Sequence, residues 1–123
     1  MGKSAHNDVL DGSLLVIKNN VTRQTACNAE PTTYTQAITT YMLADVTMAD
    51  TDFTIADDTS GRKCTVAQKA DQTIDTSGTA THIALVDVDS STLLAVTTCT
   101  SQALTAGNTV TFPSWKIANP DPT

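Results

Sequence analysis

Two Asp-Thr-Ser-Gly tetrapeptides, Asp58-Thr-Ser-Gly61 and Asp75-Thr-Ser-Gly78, stand 17 residues apart and repeat a carboxylate in the same local setting. Paired carboxylates that share a proton do the acid–base work of aspartic proteases. In that motif the glycine falls two positions after the acid, so that the carboxylates can approach; here an extra residue intervenes in both copies. The pattern instead predicts two turns. Asp at the first position accepts from the backbone two residues on, and Gly at the last takes the left-handed conformation.

His82, Asp87 and any of the eight serines could supply a nucleophile, a base and an orienting acid. No Gly-x-Ser-x-Gly elbow is present. A His and an Asp five positions apart on one strand point to opposite faces of the pleat, which is the wrong geometry for a triad. His82 is therefore expected as a partly buried strand residue or an interface residue, and His6 has no neighbouring partner beyond Asp8. Asp45, Asp50, Asp52, Asp57 and Asp58 form the one charge cluster, and oxygen at that density could hold Ca²⁺. Their spacing is not that of an EF-hand loop and no bidentate Glu follows, so a solvated acidic face or a surface for a basic partner is expected.

Cys27, Cys64 and Cys99 lie 37 and 35 residues apart, without the close spacing of a zinc or redox pair. They read as small buried apolar residues of a protein made in a reducing cytoplasm. The odd count leaves open a cross-link between subunits. Trp115, the one tryptophan, follows Phe112-Pro113-Ser114 and suits a core anchor or an interface hot spot equally. The chain contains no P-loop, dinucleotide-binding glycine pattern or zinc finger, so no catalytic residue, cofactor or metal is expected.

The elements that must position these residues belong to one thin core. The chain has 123 residues, 24 of them threonine, and only 4% aromatics, so Val, Ile, Leu, Ala and Met must fill the interior. Oligomerisation or docking on a larger assembly would add stability. A net charge of -6 and a pI of 4.4 argue against direct nucleic-acid binding, because the basic residues are scattered and only Arg62-Lys63 are adjacent. No apolar h-region opens the chain, and no apolar run nears the ~20 residues that span a bilayer. Asn20-Val21-Thr22 matches the glycosylation sequon without a secretory route to use it.

Residues 1–6 read as an N-terminal arm, 7–118 as a single β-rich domain and 119–123 as an extended tail. Asn7 or Asp8 as N-cap, followed by Leu10, Leu14, Ile17 and Val21, predicts a short helix ending near Asn19-Asn20. Strand-like alternation follows from Val21 to Cys27. The stretch from Tyr34 to Met48 fits both periods in places and reads as a loop with one short turn. Strands are expected over Asp52–Ala56, Lys63–Gln68, Thr79–Asp87, Leu93–Thr100 and Thr109–Ile117. Thr79–Asp87 carries apolar residues on both faces, Thr81, Ile83 and Leu85 against Ala80, His82, Ala84 and Val86, which marks a central, doubly covered strand. Pro113 places an edge or a bulge in the last one. The fold class is mainly β, a small antiparallel sandwich or barrel with one short N-terminal helix and extended terminal arms.

Thr32–Gln36, Asp52–Asp57, Thr59–Lys63, Asp75–Asp87 and Leu104–Pro113, with the segment Asn7–Asn20, together resemble small structural proteins of tailed bacteriophages. Their size is that of capsid decoration (cement) proteins. The resemblance implies a virion component, made in the host bacterial cytoplasm. It would bind the outer head shell and steady contacts between capsomers, with the major capsid protein and neighbouring copies of itself as partners and no direct contact with nucleic acid or membrane. A neck, collar or tail-tip protein and a host-surface binding module are the alternatives. Trp115, Phe112, Asp50, Asp52, Asp57 and Asp58 are the expected interface residues, and Cys64, near the turn at Asp58–Gly61, is the expected cross-linking thiol.

Overall fold

The computed structural model describes residues 7–119, with side chains from residue 11 onward. Helix α1 (Asn7–Asn20) leads into β1 (Arg23–Cys27), a π-helical turn at Gln36–Thr40, β2 (Met42–Thr47) and a 3-10 turn at Asp50–Asp52. Then come β3 (Phe53–Asp57), β4 (Arg62–Val66), β5 (Lys69–Thr73), β6 (Gly78–Asp87), β7 (Thr92–Leu104), β8 (Thr109–Phe112) and β9 (Trp115–Asn119). The strands form three antiparallel sheets, ordered β2-β1-β6-β7, β3-β4-β9 and β5-β8. The chain is mainly β with one N-terminal helix, as its alternation predicts. Among the described residues the arrangement is sandwich-like, and no sheet closes into a barrel. The expected arm 1–6, the tail beyond Asn119, and the Asn7 and Asp8 side chains lie outside the described residues.

The helix earns its place through one stripe. Leu14, Ile17 and Val21 are buried, and α1 lies against β3, β4 and β9. Each such side chain contributes about 1.5–3 kcal/mol on leaving water. Two polar ties fix the helix in register. Lys18 Nζ donates to the carbonyls of Asp50 at 2.8 Å and Phe53 at 2.9 Å. Arg62 on β4 reaches Asp11 on the helix at 2.8 Å and Asp57 across the hairpin at 2.7 Å.

Strand β6 is central, as expected, lying between β1 and β7. Ile83 and Leu85 enter the large core shared with α1, Phe53 and Phe112. Ala84 and Val86 enter a second cluster with Cys27 and Ala37, roofed by Tyr34, Ile38 and Tyr41. Strict alternation would set Ala80 with Ala84, yet Ala80 belongs to the large core. The register slips between Ala80 and His82, where one residue of β6 faces three of β7, and this bulge turns the strand over.

Three elements depart from the alternation. Residues 42–47, expected as loop, form β2, with Leu43, Ala44 and Val46 buried and Asp45 paired to Arg23 at 3.5 Å. Lys69–Thr73 forms β5 despite its polar sequence, because it pairs with β8 rather than burying a face. The single strand expected over Thr109–Ile117 divides. Pro113 cannot donate to a ladder, and there the chain leaves the β5-β8 pair and enters the edge of the β3-β4-β9 sheet.

Candidate functional site

The two Asp-Thr-Ser-Gly segments serve different ends. Asp58–Gly61 closes the β3–β4 hairpin: Asp58 N donates to Gly61 O at 3.0 Å, Thr59 N donates to Asp58 Oδ1 at 2.9 Å, and Gly61 has φ +71°. Asp75–Gly78 carries the chain from β5 into β6 and joins no hairpin. The N–H groups of Asp75 and Thr76 both donate to Leu43 O, at 2.8 and 3.0 Å. The Asp58 carboxylate takes the Lys116 ammonium at 2.8 Å, while the Asp75 carboxylate lies near Asp45 and raises its pKa. Each acid is engaged with its own partner rather than with the other.

His82 Nδ1 lies 2.9 Å from Thr81 Oγ1, and the residue is flanked across the sheet by Cys27 and Thr98. Asp87 is used differently. Its Oδ1 accepts from Asp89 N at 3.0 Å and Ser90 N at 3.4 Å, and its Oδ2 accepts from Ser90 Oγ at 2.9 Å. These bonds shape the β6–β7 turn, so the carboxylate does not orient His82. His6 lies outside the described residues. Asn20 Nδ2, the amide of the sequon, donates back to Val16 O at 2.9 Å.

The acidic cluster is stitched into the chain's own cations. Asp52 Oδ1 meets Lys69 at 3.0 Å, and its Oδ2 accepts from Ala49 N at 2.8 Å. Burial alone would push its pKa up, but the Ala49 N–H and the Lys69 ammonium outweigh it and hold the carboxyl below the usual range. Asp57 is tied to Arg62, and Asp58 to Lys116, whose ammonium holds that carboxyl low as well. Asp45 goes the other way: burial raises it and Asp75 adds to the rise, against the pull of Arg23. Asp50 is exposed and presents its side chain outward. Among the described residues no group of three or more His, Cys, Asp or Glu side chains is placed to hold a metal ion.

A cleft of about 450 Å³ lies between β7 and the β8–β9 corner. Ile83, Leu104 and Phe112 make its apolar floor, with Cys99, Gln24 and Trp115 around them. Gln24 is fully buried, and its Oε1 accepts from Trp115 Nε1 at 2.9 Å. Trp115 is half-buried: it packs on the core and lines the cleft with the rest of its ring. Phe112 is only 2% exposed and lies in the core, so the expectation that it meets a partner is corrected. Cys64 is fully buried between Ile55 and Ile117, out of reach of a second subunit, which corrects its choice as cross-linking thiol. Cys99 is the more accessible sulfur. Gln24 escaped the sequence reading because a polar residue between Arg23 and Thr25 looks no different from its neighbours.

Comparison of the chain with protein-family models, with curated proteins and with solved structures finds no match.

Proposed function

We propose that the chain is a virion structural protein of a tailed bacteriophage, a capsid decoration protein that binds the outer head shell and steadies contacts between capsomers. The observation that carries this reading is the resemblance in Asp75–Asp87 and Leu104–Pro113. These segments correspond to β6 with its entry turn and to the passage from the end of β7 through β8. The acidic balance favours a partner with basic patches over nucleic acid. A thin core of 4% aromatics favours a protein that gains stability on docking. The partners in this reading are the major capsid protein and neighbouring copies.

The test is reconstitution. Purified chain added to head shells that lack it should bind saturably, in a simple ratio to the capsid protein, and should raise the temperature at which the shells open. Shells that take up no chain, or open at an unchanged temperature, would contradict the reading. Uptake confined to isolated necks or tails would move it to the neck or tail-tip alternative.

A further inference from the structure

Strand β7 is the long edge of the four-stranded sheet, and apart from two bulges it lacks the devices that usually keep such an edge from pairing. Its thirteen residues, Thr92–Leu104, include no charge, no proline and no glycine. Leu93, Leu94, Ala95, Val96 and Thr97 are all only half-buried, whereas β6 beside it is buried from Ile83 to Asp87. Among the described residues no strand pairs with its outer side.

The outer edges β2, β3 and β9 of the two larger sheets are blocked. On β2, the N–H groups of Asp75 and Thr76 occupy Leu43 O, Ile74 bridges to Ala44, and Asp45 adds a charge. On β3, the Lys18 ammonium sits on Phe53 O, and Asp57 ends the strand. On β9, Lys116 lies mid-strand and Pro113 precedes it. Setting β7 against any of these would oppose an apolar run with a charge. Set against its own copy, it opposes Leu, Ala, Val and Thr with the same residue types, which are favourable cross-strand neighbours.

A second apolar feature adjoins the same edge. The exposed large hydrophobic side chains of the molecule, among the described residues, are Leu15 at 41% and Val16 at 48%. Val16 shares a hollow with Leu94, Ala95 and Ile117. A body seated along β7 would lie beside the hollow that Val16 lines.

We propose that β7 pairs antiparallel with β7 of a second copy across a two-fold axis, joining two four-stranded sheets into one of eight. Bulges at Leu94 and around residues 99–101 bound a regular stretch, Ala95–Thr98, on which the pairing centres. A two-fold axis makes the contact self-complementary and closed, so assembly stops at the dimer. The net charge of -6 on each copy opposes approach, so added salt strengthens the pairing, opposite to an interface built on ion pairs. The pairing supplies a surface for the self-contact in the proposed function and rests on that reading for nothing else. Shell reconstitution and solution mass therefore fail separately.

The test is the molar mass of the full chain under reducing conditions, by light scattering across a concentration series, with hydrogen exchange on the same samples. The expected result is twice the 12.9 kDa chain mass, with every amide of Ala95–Thr98 protected. Thr98→Lys sets like charges near the axis and should weaken the dimer about tenfold or more, while Thr98→Val keeps it. A wild-type monomer at all concentrations overturns the proposal. So does a monomer whose β7 amides are all protected, which would mean that another part of the chain covers the edge. So does a folded Thr98→Lys protein that remains a dimer. If Thr98→Lys fails to fold, wild-type mass and exchange decide the matter alone.

Discussion

Phe112 and Trp115 lie three residues apart and answer to different forces. Phe112 is enclosed in the large core, so Phe112→Ala should cost about 3–5 kcal/mol of unfolding free energy, read by urea denaturation. A cost below about 1 kcal/mol would mean that the ring is not packed as described. Trp115 keeps one side at the cleft and spends its N–H on Gln24. The cysteines follow the same division. Burial pushes the thiols of Cys27 and Cys64 up and encloses them, and it raises Cys99 while leaving that residue partly accessible. A thiol reagent on the folded protein should label Cys99 well before the other two, checked by peptide mass mapping. Equal labelling of Cys64 would restore it as a cross-linking candidate. The sequence displayed these residue types but not their depth. Depth depended on where Pro113 sends the chain and on which partner Gln24 meets, both long-range facts.

Elements were legible wherever one face dominated the pattern. The helix stripe and the doubly apolar β6 needed no knowledge of their neighbours. β2 did, because alternation and helical spacing both fit parts of Tyr34–Met48 and its strand character comes from pairing with β1. β5 is polar and exists through its ladder to β8, with Asp71 in the left-handed region at φ +57° where the register slips. The turn between β7 and β8 was legible from Ala106-Gly-Asn108, and its glycine has φ +91°. Gly107→Ala meets open space, so its cost is conformational alone, about 1 kcal/mol, measurable as a lowered Tm. No loss would show that this turn relaxes to a conformation open to any residue.

At the scale of the whole molecule, an acidic chain has most of its cluster of carboxylates tied to its own cations, and pH reads out the balance. Asp52 and Asp58 have folded pKa values below the ordinary 3.8. The stability they contribute is present above that value and is lost as pH falls through their folded values. Asp45 is raised above 3.8, so its ionisation weakens the fold, a cost absent below 3.8 and complete once pH passes its folded value. Asp75→Asn removes a charge that raises it and should increase Tm at pH 7, with the gain vanishing in acid below about pH 4. An unchanged Tm at pH 7 would show that Asp75 does not act on Asp45. Charge composition made an acidic body legible from the start. It could not show which acids face solvent, because the pairs Arg62–Asp11 and Lys116–Asp58 join residues 51 and 58 positions apart. The functional account rests on the molecule's place in a particle, and its most direct test is the number of copies of this chain per purified virion, counted by quantitative mass spectrometry against the major capsid protein. A decoration protein is expected in hundreds of copies, in simple ratio to the capsid protein; a single ring's worth of copies, or none, would overturn the proposed role.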